Sequence, residues 1–320
     1  MVFLTEKDID PLLNLEEEIN RLRKEMNAVI LAHYYQDDEI QDIADFVGDS
    51  LDLSKKAAST DAEVIIFCGV KFMAEVAKIL NPSKLVLLPD LKAGCSLEQS
   101  CPPDKFKEFR DNNPDHIAIT YINCSAEIKA LSDIIVTSSN AENIINNIPK
   151  DQKIIFAPDK YLGGYLNRKT NRDMLLWNGT CQVHEQFSEK EVVKLKTKYP
   201  DANVIAHPEC TEILLKYADH IGSTKSLLDF VAARNGESFI VLTEPGIIHQ
   251  MKKRSPDSAI YQVAGTEEGC TSCNECPYMK LNTLEKLYLA MKNKEPSINL
   301  EEGLINKAEL SLNRMFELGL

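Results

Sequence analysis

Three segments, opening at VILAHYYQ, IAITYINC and NVIAHPEC, repeat one another at fixed offsets, and this periodicity restricts the fold more than any other feature of the chain. With His33, Tyr121 and His207 as anchors, an Asp follows at +12 (Asp45, Asp133, Asp219) and a hydroxyl at +17 (Ser50, Ser138, Thr224). The +2 positions hold Tyr35, Asn123 and Glu209, and the anchors lie 88 and 86 residues apart. A cysteine closes the unit, since Cys95 falls 62 residues beyond its anchor and Cys181 falls 60 beyond.

Each unit reads as strand, helix, strand, because EIQDIADFVG, EIKALSDIIV and TEILLKYADHIG carry apolar residues at helical spacing and end in a short apolar run. A second wave follows in VIIFCG, KIIFAP and FIVLTEPG, then a helix-like stretch, then LVLLPD, MLLWNG and IYQVAG. Strands alternating with helices imply an α/β fold of three similar domains, each a small parallel sheet flanked by helices. The expected boundaries are an N-terminal helix in 1–26, repeats over 27–115, 116–201 and 202–280, and helical cladding over 281–320. Three equivalent units predict a pseudo-threefold triangle whose strand C-terminal ends face a shared centre, where ligands of open α/β sheets bind.

A net charge of −13 with no dense basic run argues against a nucleic-acid partner, since neutralising phosphates takes clustered Lys and Arg. The charged N-terminus lacks the apolar core of a signal peptide, and no later stretch approaches the roughly 20 apolar residues of a membrane span. The expectation is a cytoplasmic protein with no membrane partner. Nine cysteines in such a chain point to reduced thiols and metal ligation rather than to disulfides.

The densest chemical signal is EEGCTSCNECPYMK, with Cys270, Cys273 and Cys276 spaced C-x-x-C-x-x-C, a pattern that suits zinc, an iron-sulfur cluster or a redox dithiol. No fourth cysteine follows, so the run is not self-sufficient. Were one of its cysteines to join Cys95 and Cys181, a four-iron cluster would keep one iron without a protein ligand, free to act as a Lewis acid. The offset favours Cys270, at 63 residues from its anchor, over Cys276, at 69, and spacing alone does not decide between them. Cys68, Cys101, Cys124 and Cys210 are read as packing residues.

The motifs LAHYYQ, VGDS, AGCSL, YINCSAEIKA, VTSSN, WNGTCQVHE, AHPEC, GSTK and CPYMKLNTL resemble those of the quinolinate synthase family along nearly the whole chain. What the resemblance implies is three α/β domains around a 4Fe-4S cluster held by one cysteine per domain, with Cys95, Cys181 and Cys276 as ligands. Cys270 and Cys273 then become a candidate redox pair. The resemblance further implies a substrate cage of His33, Tyr35, Ser50, Tyr121, Asn123, Ser138, His207, Glu209 and Thr224, joined by Ser223 and His184. The implied reaction condenses iminoaspartate with dihydroxyacetone phosphate to quinolinate for NAD synthesis, with L-aspartate oxidase or aspartate dehydrogenase supplying the imine.

Such a reaction needs several proton transfers. Tyr35 and Glu209 suit general acid and base, with His207 beside them. His33, with Ser50, Ser138 and Thr224 near strand-to-helix turns, suits binding of carboxylate or phosphate oxygens. Ordinary helix capping is the competing role for the hydroxyls and for Glu209, and His116, His220 and His249 are read as structural. Two other functions compete: a non-catalytic iron-sulfur carrier or sensor, which would favour four protein ligands, and a zinc-stabilised binding module on the C-terminal cysteines.

Overall fold

The computed structural model describes residues 4–265 and 274–319, so Cys270 and Cys273, the candidate redox pair, lie outside the described residues. Three four-stranded sheets carry the chain. The first contains β1 (Ala28–His33), β2 (Phe46–Gly48), β3 (Val64–Cys68) and β4 (Leu85–Leu87). The second contains β5 (His116–Tyr121), β6 (Ile134–Val136), β7 (Lys153–Ala157) and β8 (Leu175–Leu176). The third contains β9 (Asn203–Ala206), β10 (His220–Ile221), β11 (Ser238–Leu242) and β12 (Ala259–Gln262).

Every pairing between these strands is parallel, and the orders are β2-β1-β3-β4, β6-β5-β7-β8 and β10-β9-β11-β12. The three sheets therefore share one topology, as the sequence repeat predicts. In each, the chain leaves the opening strand to one side and returns on the other. The crevice beyond the carboxyl ends of the two central strands is thus a topological switch point, the place where open α/β sheets hold ligands.

The strands read as continuous apolar runs because helices cover both faces of a parallel sheet. All five residues of β3 are buried, as are five of the six in β1. By cohesion of contacts the chain divides into two compact units, Met1–Cys95 with Pro277–Glu309, and Ser96–Cys276 with Leu310–Leu320. In the former, Ile30, Ala32, Ile66 and Cys68 pack with Ile19 and Leu22 of the helix Leu15–Glu25 and with Leu287 and Met291 of Leu284–Asn293. These two helices cover the first sheet. In the latter, the third sheet packs Val204, Ala206, Ile240 and Leu242 against Val192 and Leu214.

The Asp at +12 proves to be a structural clamp in all three repeats. Asp45 donates its amide to the Ile30 carbonyl (2.9 Å) while its Oδ2 accepts the Ile30 amide (2.8 Å). Asp133 does the same with Ala118 (2.9 and 2.7 Å), and Asp219 with Val204 (2.8 and 2.8 Å). A cation faces each carboxylate: Arg23 at 2.7 Å, Arg110 at 2.9 Å and Lys196 at 3.9 Å. The turn into the second strand is thereby tied to the start of the first, satisfying backbone groups that the parallel ladder leaves over. Among the described residues no helix is long and apolar enough to cross a membrane.

Candidate active site

The anchors stand at the ends of the opening strands. His33 closes β1, Tyr121 closes β5, and His207 follows β9 directly. In the first and third repeats the anchor ring organises its own loop: His33 Nδ1 accepts the amide of Tyr35 (3.1 Å), and His207 Nδ1 accepts the amide of Glu209 (3.3 Å). Because Nδ1 accepts, a neutral ring carries its proton on Nε2. In His207 that atom lies 3.4 Å from the Ser138 hydroxyl. His33 and Tyr35 stack edge to face with ring centroids 4.5 Å apart.

In the first and third repeats the hydroxyl at +17 is not the helix cap, because the residue before it takes that task. Asp49 caps Ser50–Ser59 by accepting the amides of Leu51 (3.0 Å) and Asp52 (2.9 Å). Ser223 caps Thr224–Ala232 by accepting the Ser226 amide (3.3 Å). Ser50 and Thr224 are then first residues of their helices, where backbone N–H groups point outward and favour anions. In the second repeat the turn is held by Thr137 and Asn140, whose side chain accepts the Thr137 amide (2.7 Å), with Ser138 between them. Asn123 presents a buried side-chain oxygen that has no hydrogen-bond partner.

The most concentrated chemistry lies around Glu209, which is 2 % exposed. Its carboxylate does not serve the next helix, Glu212–Leu215, which begins after Thr211. It accepts instead from His184 Nδ1 (2.8 Å) and from the Tyr121 hydroxyl. His184 is fixed on its other edge by the Thr243 hydroxyl (3.0 Å at Nε2), stacks on His207 with centroids 4.7 Å apart, and has Nδ1 3.3 Å from Cys181 Sγ. Tyr121, Ser138, His184, His207, Glu209 and Cys181 are thus brought into one connected network.

Burial disfavours the Glu209 charge, but the neighbouring His184 and the hydrogen bonds from His184 and Tyr121 outweigh it and hold the carboxyl below the usual range. Burial pushes His207 down to about 3, so its ring is neutral at physiological pH. Nearby Asp159, also buried, is raised well above the usual range by desolvation and by the Glu209 charge. The site therefore holds an ionised carboxylate beside a neutral imidazole, in surroundings from which most water is excluded.

The described cysteines fall into two classes. Cys68, Cys101, Cys124 and Cys210 are fully buried. Desolvation raises the thiol of Cys68 to about 12 and pushes those of Cys101 and Cys210 up as well, which suits packing. Cys95, Cys181 and Cys276 are half-buried and form no disulfide, and thiols of that kind can serve as iron-sulfur ligands. The donor set thus fits the cofactor that the sequence implies. Cys181, His184 and Glu209 also bring three donor atoms within 4.8 Å of one another, although His184 and Glu209 are already bonded to each other there.

The loop carrying Cys181 is tightly seated. A side chain on Gly179 would meet the Ser100 hydroxyl at 2.3 Å and the Pro158 carbonyl at 2.5 Å, so only glycine fits. The Trp177 indole donates to the Ser100 carbonyl (3.0 Å), and the Gln182 amide to the Ser96 hydroxyl (3.2 Å). Sequence reasoning overlooked three residues here: Thr243, which orients His184, and the buried acids Asp159 and Glu244. Their signal was positional, since each follows the third strand of its repeat in the segments FAPD and LTEPG.

Residues 17–317 match the family model described as Quinolinate synthetase A protein. The chain is 60% identical over 306 residues to the quinolinate synthase of Chloroherpeton thalassium, covering 96% of this chain and 95% of that protein. It is 60% identical over 297 residues to that of a Synechocystis species, covering 93% of each, and 58% identical over 313 residues to that of Ehrlichia chaffeensis, covering 98% and 99%. With the match running through all three repeats, the chain belongs to the Quinolinate synthetase A protein family.

Proposed function

We propose that this chain is a cytoplasmic enzyme that condenses iminoaspartate with dihydroxyacetone phosphate to quinolinate, with loss of phosphate and water, in de novo NAD synthesis. The observation that carries the reading is a buried, ionised Glu209 wired to His184 and Tyr121 beside the Cys181 thiol, in a chain of this family. The repeats 27–115, 116–201 and 202–280 each lend one sulfur, from Cys95, Cys181 and Cys276, to a 4Fe-4S cluster. When bound, the cluster supplies a Lewis-acidic iron that assists departure of hydroxide.

The chain's own groups move the protons. Glu209 accepts one as general base, and His184 and Tyr121 keep the carboxylate ionised and aimed. Tyr35, half-buried with its backbone fixed on His33, acts as general acid. His207 directs its Nε2 proton to Ser138 and so orients that hydroxyl toward substrate oxygens. His33, Ser50, Tyr121, Asn123, Ser138, Ser223 and Thr224 bind the small anionic substrates, with the helix-start hydroxyls supplying local donors that an acidic chain otherwise lacks. The unstable imine comes from an aspartate-oxidising enzyme, L-aspartate oxidase or aspartate dehydrogenase.

Replacement of Cys95, Cys181 or Cys276 by alanine is expected to abolish the 4Fe-4S absorption and quinolinate formation together, measured anaerobically. Retention of a full cluster by any two of the three variants overturns the ligand assignment.

A further inference from the structure

The third strand of each repeat ends two residues before a position that faces the cysteine loop: Val70 after β3, Asp159 after β7 and Glu244 after β11. The loops dock alike in the first two repeats. Lys71 donates its amide to the Ala93 carbonyl (2.7 Å), and Lys160 donates to the Gly179 carbonyl (2.9 Å), each carbonyl two residues ahead of the cysteine. The side chains then differ. Val70 is apolar, whereas Asp159 and Glu244 carry carboxyl groups with no exposed surface.

Asp159 Oδ1 accepts the Leu162 amide (2.6 Å), and the amides of Tyr161 and Cys181 also face this carboxyl group, whose Oδ2 has no hydrogen-bond partner. Glu244 Oε2 accepts the Gly246 amide (2.7 Å), while Oε1 accepts the amide of Cys276 (3.2 Å). Capping of the next helix accounts for the Leu162 and Tyr161 contacts but not for the one to Cys181. It does not account for Glu244 reaching an amide 32 residues along the chain, nor for full burial of both acids, which costs free energy unless the oxygens are used.

Building on the cluster reading above, we infer that Asp159 and Glu244 are positioning residues which hold the backbone N–H of Cys181 and Cys276 and so fix the direction of each sulfur toward the cluster. An amide held by a carboxylate oxygen cannot turn toward its own sulfur, and the Cα–Cβ bond of the cysteine is fixed with it. The first repeat reaches the same end with main-chain contacts and an apolar Val70.

The test compares apolar and isosteric polar variants of the anaerobically reconstituted, full-length protein. Asp159→Leu and Glu244→Leu are expected to release iron to a chelator about tenfold faster than wild type, the usual effect of losing an outer-shell partner. Asp159→Asn and Glu244→Gln, which keep an acceptor oxygen, are expected to restore release to within about threefold of wild type, and the cluster midpoint potential with it. Wild-type release in both Leu variants, or equal loss in the Leu and amide variants, overturns the inference.

Should the Leu variants lack a cooperative melt, the decision passes to Glu244→Asp, whose carboxylate falls one methylene short of the Cys276 amide. It is expected to speed iron release, and an unchanged rate counts against the inference. Failure of wild type to take up iron and sulfide, or loss-free Cys181→Ala and Cys276→Ala variants, would instead remove the cluster reading on which the inference rests.

Discussion

The loops that follow β1 and β9 use one device to different ends. In both, a histidine Nδ1 takes the amide two residues ahead and sets the same turn. That amide belongs to a half-buried Tyr35 in the first repeat and to a fully buried Glu209 in the third. Glu209 is then enclosed by two imidazoles and a phenol, whereas Tyr35 packs edge-on against His33. The difference shows that the repeat supplies backbone geometry, while the groups packed around each +2 side chain set its burial and its partners.

Within that comparison the largest effect should come from Glu209→Gln, which preserves volume but removes the proposed base. Turnover is expected to fall about 10²- to 10⁴-fold with cluster content unchanged, as measured by anaerobic quinolinate formation and iron analysis. Tyr35→Phe should cost less, about 10- to 100-fold, because water can replace a donor at a half-buried position. An order reversed between these two variants would exchange the roles assigned to the two loops.

The paired histidines sharpen the comparison through pH. His207 has a folded pKa of about 3, below its unfolded value of about 6.5, so the unfolded chain takes up the proton first. Its contribution is present above about pH 6.5 and is lost as pH falls toward 3. The thermal midpoint of the apo protein is expected to drop across that window, and His207→Asn should flatten the drop. An identical pH slope in the variant would dispose of the assignment.

The clamp aspartates should behave alike where the anchor loops do not. Asp45→Ala, Asp133→Ala and Asp219→Ala are each expected to lower stability by about 1–3 kcal/mol through one unpaired strand amide, read from melting midpoints. The smallest effect belongs to Lys196→Ala, about 0.5 kcal/mol or less, since this ion pair is long and exposed. A clamp variant that leaves its melting midpoint unchanged would show that the repeat marks ancestry at that position and not a structural need.

Much of this was legible in the sequence, for physical reasons. Continuous apolar runs bounded by turn residues gave the parallel strands, and the offset of +12 marked a position whose surroundings recur in every repeat, whereas +17 opens a helix only in the first and third. The helix expected around Leu12 to Met26 occupies Leu15–Glu25, starting where Asn14 accepts the Glu17 amide (3.2 Å). The function of the +12 Asp was not legible, because its partners are backbone atoms, which leave no mark on residue type. Helix capping competed with ligand binding as the role of the +17 hydroxyls, and at Ser50 and Thr224 the capping place proves to be filled by Asp49 and Ser223. Asp159 and Glu244 escaped notice because a single acid at the end of an apolar run reads as the start of a loop, and their targets lie 22 and 32 residues farther on.

The clamp has a consequence for biosynthesis. Each carboxylate meets its amide across a separation of 15 residues, the same in all three repeats. Closing so short a loop costs little entropy. A ribosome that has released only the opening strand and the turn after it has already delivered both halves of the latch, so each lobe can start to order while its successor is still being translated.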